Sequence, residues 1–150
     1  MKILYLPLKA KWYEMIDSGV KTEDYRDIKP YWQKRLNKDY THVMFSYGYT
    51  KRKMMFRIYK IITGYGKTKW GAPSDKEVFI IKLGLRTRNV GEVFEYEKKM
   101  FEVVESDSCI GCYFRYSCHS NISLGLCSSK LRGDGTSIMF KEVNNENRTN

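Results

Sequence analysis

At 150 residues the chain is long enough to bury one sizeable core with a small appendage, and too short for two full domains. Its 27 Lys and Arg against 17 Asp and Glu give a formal charge of +10, which points to polyanionic partners such as RNA, DNA or nucleotides. No apolar run approaches the ~20 residues that span a bilayer, and Met1–Leu8 is broken too soon by Pro7 for a secretory signal, so a cytoplasmic protein with no membrane partner is expected. The 12 Tyr, 7 Phe and 3 Trp, interleaved with Lys and Arg, suit stacking on bases and equally suit a core.

Lys2 to Leu8 alternates loosely and predicts a strand that Pro7 ends or places at a sheet edge. Ala10 to Asp17 sets Trp12, Met15 and Ile16 at helical spacing, so a short helix should lay that stripe on the sheet. Asp17-Ser18-Gly19 is a helix stop, because Gly after a helix adopts the left-handed backbone that ends it. A strand is then expected from Lys21 to Asp27, and a second helix from Tyr31 to Asn37, opened by Pro30 and buried through Trp32 and Leu36. Tyr40 to Tyr49 and Met54 to Thr63 predict a hairpin turning at Thr50-Lys51-Arg52-Lys53. Gly64 to Pro73 reads as a long exposed loop, Glu77 to Leu83 as a strand, and Val93 to Val104 as a strand in preference to a helix. The expected class is therefore α+β or a small barrel of five to six strands with two early helices. Its domain spans 1–104, followed by a Cys-rich module at 105–143 and a polar, disordered tail at 144–150.

The densest chemistry lies in Gly19-Val-Lys-Thr-Glu-Asp-Tyr-Arg26, where opposite charges crowd the start of a strand. Alternation puts Asp24 and Arg26 on one face and Glu23 and Tyr25 on the other. Such charges are costly to bury unless they pair or meet a polar ligand. As a ligand site, Lys21 and Arg26 would contact phosphate or carbonyl oxygens and Asp24 would accept from the exocyclic amine of a base. Tyr25, Tyr47, Tyr49 and Trp70 would supply stacking faces, with Glu23 and Arg57 completing the set. The alternative is an internal Asp24–Arg26 pair with Lys21 solvated and the aromatics filling a barrel. Two further basic groups, Lys51-Arg52-Lys53 with Arg57, and Lys67, Lys69, Arg86 and Arg88, are solvated faces or a track for a nucleic-acid backbone. Of the two histidines, His42 reads as an ordinary strand residue, and His119 lies far from this segment.

All four cysteines fall within nineteen residues, as Cys109-Ile-Gly-Cys112, Cys118 and Cys127. Without a secretion signal, a structural zinc held by Cys109, Cys112, Cys118 and Cys127 is the expected use. Two disulfides or reduced free thiols are the alternatives, and His119 could replace one thiolate. No organic cofactor is expected.

The run Leu6-Pro7-Leu8-Lys9, then Trp12 to Ile16, Ser18-Gly19, Lys21-Thr22, Asp24-Tyr25-Arg26 and Ile28 to Trp32, resembles the ASCH domain of the PUA-like superfamily. Phe45 to Tyr49, Gly64-Tyr65-Gly66, Trp70 to Pro73 and Val78 to Gly84 follow in that family's order, so the likeness covers residues 1 to 90. It implies a PUA-like β-barrel with flanking helices and a cleft for a nucleobase or RNA segment, in proteins encoded by bacteria and their phages. Some relatives are amidohydrolases of acetylated cytidine that work through a Lys, a Thr and a distant Glu. Lys21 falls on that Lys, but Asp24 stands where the attacking Thr would be. The leading expectation is thus a module binding nucleic acid, RNA favoured, or a nucleotide. The alternatives are an enzyme, a ribonuclease or amidohydrolase-like hydrolase working from Lys21, Asp24 and Arg26, and a phage accessory protein that sequesters a host factor or nucleotide.

Overall fold

The structure, a computed structural model, describes residues 1–116, 127–132 and 134–144. The chain divides into two compact units, Met1–Leu85 and Arg86–Asn150. In the first, β1 (Ile3–Leu8), α1 (Ala10–Asp17), β2 (Glu23–Asp27), α2 (Pro30–Leu36), β3 (His42–Tyr47), β4 (Lys53–Gly64) and all but the last two residues of β5 (Val78–Thr87) follow in order, with a 3-10 turn at Thr68–Trp70 before β5. Five strands form one sheet in the order β1-β3-β4-β5-β2, with β1 parallel to β3, β3 antiparallel to β4, and β2 antiparallel to β5. The sheet curls into a half-barrel flanked by two helices, a small, mostly-β architecture. The curl is carried by side chains as well as strand twist, since Arg26 on one edge strand donates to the carbonyl of Pro7 on the other at 3.4 Å. Pro7 lies on an edge strand, where its missing N–H breaks no ladder.

Period-2 alternation drives Leu4, Leu6 and Leu8 inward from β1, to meet Val43, Phe45, Met54 and Ile81 from the other strands. Each such side chain contributes about 1.5–3 kcal/mol on burial. Helix α1 covers this core with Tyr13 and Ile16, both essentially buried, whereas Trp12 and Met15 of the expected stripe are half-buried. The apolar arc is rotated by one residue because Trp12 turns toward the 64–73 loop. The helix ends as its sequence demands: Ser18 and Gly19 donate to the carbonyls of Glu14 and Ile16, Gly19 adopts φ +82°, and Lys21 N–H caps Met15 O at 2.9 Å. Helix α2 begins at Pro30, one residue earlier than expected, and buries Leu36.

The second unit contains β6 (Val93–Tyr96), β7 (Lys99–Glu105), the single helical turn α3 (Ser129–Arg132) and β8 (Ile138–Glu142). The division falls after Leu85 and not after residue 104, because β6 and β7 form their own antiparallel sheet with β8 in the order β6-β7-β8. The expected strand over 93–104 is two strands, joined through Glu97 and Lys98 at φ +49° and +64°. Phe94, Phe101, Val103, Phe114, Ile138 and Phe140 form a separate core, with Cys112 and Cys127 packed against it. The outer edge of β8 is covered by neighbouring segments, Ile138 N–H donating to Cys127 O and Tyr113 N–H to Phe140 O. Arg132 is wholly buried and clamps Asp134 through Nε at 3.2 Å and Nη2 at 2.6 Å. The polar tail lies outside the described residues beyond Asn144.

Candidate functional site

The turn after α1 and the first residues of β2 place Lys21, Asp24 and Arg26 together. Lys21 and Asp24 are each only 3% exposed. Asp24 Oδ2 accepts from Arg26 Nε at 2.8 Å, and Asp24 Oδ1 stands 3.8 Å from Lys21 Nζ. Two cations therefore share one carboxylate. Lys21 Nζ reaches Asp24 only at that long distance; it lies 4.7 Å from the centre of the Trp12 ring and 5.3 Å from that of Tyr25. Burial lowers the pKa of Lys21 below its ordinary 10.5, with Asp24 opposing the shift and Arg26 reinforcing it. Arg26 is fixed on three sides, by Asp24, by Pro7 O and by the Trp32 ring 5.0 Å from its guanidinium.

On the opposite face of β2, Tyr25 donates to Glu23 at 2.8 Å, and Glu23 pairs with Lys82 of β5 at 3.7 Å. Tyr25 Oη also accepts the backbone N–H of Lys67 at 3.0 Å, which ties the 64–73 loop to the strand. Burial, with Glu23 adding to it, pushes the Tyr25 pKa up to about 12, so the phenol remains a proton donor at neutral pH.

This loop is exposed at Tyr65, Lys67, Thr68, Lys69 and Gly71, as its composition predicts, but not throughout. Trp70 and Ala72 are buried, and two of its glycines are required by close approach. A Cβ at Gly66 would lie 2.5 Å from the Tyr25 ring, and one at Gly71, where φ is +97°, would lie 2.7 Å from Trp12. The loop thus closes over the two aromatic rings that face Lys21.

Of the nine expected ligand residues, Lys21 in the turn before β2 and Glu23, Asp24, Tyr25 and Arg26 on β2 come together, and Trp70 belongs to the loop packed against them. Trp70 gives its ring to the protein, with Lys67 Nζ 4.2 Å from its centre. Tyr47 packs edge-on against Tyr13 under Arg52, Tyr49 stands almost fully exposed in the β3–β4 turn, and Arg57 is exposed on β4. Asp24, expected as an acceptor for a base amine, is engaged by Arg26 at 2.8 Å and lies 3.8 Å from Lys21. Trp12 and Trp32 are the site residues that sequence reasoning missed. Helical phase gives Trp12 to the sheet, and only the glycine approach from more than 50 positions away reveals its other neighbour. Cavities of about 510 and 480 Å³ open beside the end of α2 and β4, and neither is lined by any of the expected site residues.

The basic groups sort by their partners. Arg52 is bound by Glu14 at 3.0 Å and Asp17 at 3.4 Å, while Arg86 and Arg88 are buried and paired with Glu92, so neither arginine belongs to an exposed track. Once the chain is divided at Leu85, Met1–Leu85 holds 18 Lys and Arg against eight Asp and Glu, and the second unit holds nine against nine. The entire +10 resides in the unit that carries Lys21.

For the cysteines, Cys109 O accepts from Cys112 N–H at 3.1 Å across a tight turn, and Cys112 and Cys127 both adjoin β8. Among the described residues no three His, Cys, Asp or Glu side chains gather closely enough to hold an ion, and Cys118 and His119 lie outside them. Compared with protein-family models, curated proteins and solved structures, the chain matches none.

Proposed function

We propose that the chain is a nucleic-acid- or nucleotide-binding module of the PUA-like type, with RNA as the favoured ligand and Lys21 as its central contact. One observation carries the reading: a buried ammonium with donors to spare, held between two aromatic rings and sharing the Asp24 carboxylate with Arg26. Removing a cation from water is costly, and the neighbouring carboxylate offsets only part of that cost. An incoming phosphate or carbonyl oxygen supplies the missing acceptor. Charge-assisted hydrogen bonds contribute about 1.5–3 kcal/mol, so Lys21→Met should weaken binding about 10- to 100-fold. Fluorescence anisotropy with a mixed-sequence ten-nucleotide RNA, alongside the four nucleoside 5′-monophosphates, measures it. Unchanged affinity in a variant with a native circular dichroism spectrum would reject Lys21 as the contact.

Burial, which lowers the pKa of Lys21, favours a second reading, an enzyme acting on RNA or a modified nucleoside, since a desolvated lysine gives up its proton more readily than a solvated one and so can act as a base. Turnover of RNA or acetylated cytidine, lost in Lys21→Met with the fold intact, distinguishes it from binding alone. For the Cys-rich unit we propose a structural zinc held by Cys109, Cys112, Cys118 and Cys127.

A further inference from the structure

We infer that the ligand is a single strand of several nucleotides, whose backbone runs out of the Lys21 site across a rim formed by Lys11, Lys67 and Lys69. The inference rests on the binding reading above and names the ligand class for that site.

Each of the three rim lysines is exposed, and none pairs with a carboxylate among the described residues. Each is instead braced on an indole that belongs to the site. Lys11 Nζ lies 4.7 Å from the centre of the Trp12 ring, the same ring that faces Lys21. Lys67 and Lys69 lie 4.2 and 5.3 Å from the centre of Trp70. The loop bearing them is pinned to the site at two points, by Lys67 N–H on Tyr25 and by Gly71 against Trp12. The rim is therefore an extension of the buried site and not a distant patch of charge.

A mononucleotide brings one phosphate and has no use for three further cations beyond Lys21. A polymer brings a phosphate at every step, and each one neutralised releases counterions. A duplex does not suit a site whose lysine is 3% exposed and walled by Trp12 and Tyr25, because its bases are stacked inward. A single strand can turn one base inward and lay its neighbours' phosphates on the rim.

The test compares the wild type with the triple variant Lys11→Glu, Lys67→Glu, Lys69→Glu, using the ten-nucleotide RNA, its duplex and the nucleoside monophosphates. The single strand should bind at least about tenfold more weakly to the variant. The slope of log affinity against log salt should fall by about 2, at about 0.7 per lost single-strand phosphate contact. Monophosphate affinity should fall by clearly less than that of the single strand, since a monophosphate meets the rim only through its field. A control variant with the same charge change at exposed Lys34, Lys38 and Lys60 should lose much less. Equal losses in the two triple variants, an unchanged salt slope, or equal affinity for duplex and single strand would each overturn the inference. Failure of the binding reading looks different: Lys21→Met then leaves RNA affinity untouched, whatever the rim variant does.

Discussion

Lys21 and Arg26 show how a short segment can bury more positive than negative charge without unfolding the strand that carries it. Arg26 uses its planar fork on Asp24 and Pro7 O and rests on Trp32, so its charge is spent inside the protein. Lys21 keeps its donors. His42, at the start of β3, is the opposite case, a titratable group buried without a ligand to serve. It is 4% exposed, Thr41 Oγ1 lies 2.8 Å from its Nδ1, and burial, with Arg57 on β4 and the N-terminal amine nearby, lowers its pKa below 6.5. The folded chain therefore resists protonation that the unfolded chain accepts. Stability linked to His42 is fully present above about pH 6.5 and is lost as pH falls from there through the lowered folded pKa. Denaturant midpoints followed by tryptophan emission should decline from pH 7 to 5 in the wild type and decline less in His42→Gln. Parallel profiles for the two proteins would assign the decline to other groups.

At the level of elements, what the sequence discloses depends on how local its cause is. The first helix is found over the expected Ala10–Asp17 because its stop signal, Ser18-Gly19, adjoins it. The faces of β2 follow from alternation alone, and the Asp24–Arg26 and Glu23–Tyr25 bonds lie on the expected opposite sides. The hairpin between β6 and β7 was not legible, since its two turn residues are Glu97 and Lys98, where a left-handed pair ordinarily advertises itself as Asn-Gly. The strain of that pair gives a direct test. Glu97→Asn with Lys98→Gly should raise the stability of the second unit by about 1 kcal/mol, read as a higher thermal midpoint. No rise would mean that side-chain contacts of Glu97 and Lys98 compensate for their backbone. Equally illegible were the closeness of Gly66 to Tyr25 and of Gly71 to Trp12, because packing across 41 and 59 positions leaves no local signature.

Over the whole chain, charge and sulfur are segregated. The first unit holds the net positive charge and no cysteine, while the second is electrically balanced and holds all four thiols. The charge partition was invisible before the boundary at Leu85 was known, since a domain drawn to residue 104 mixes the two compositions. Among the described residues the second unit's core has six buried apolar side chains, and small cores call for a staple. The proposed zinc predicts one equivalent per chain by elemental analysis of reduced, dialysed protein, with chelation lowering its melting temperature. Less than one equivalent, with four titratable thiols, would exclude it. The three tryptophans follow the charge: Trp12 faces Lys21, Trp32 faces Arg26 and Trp70 faces Lys67, and all three are in the first unit. An ammonium or guanidinium beside an indole shifts its emission, and an arriving anion that draws the cation away alters that shift. The molecule is thus fitted with its own optical sensor at the site, readable without a dye.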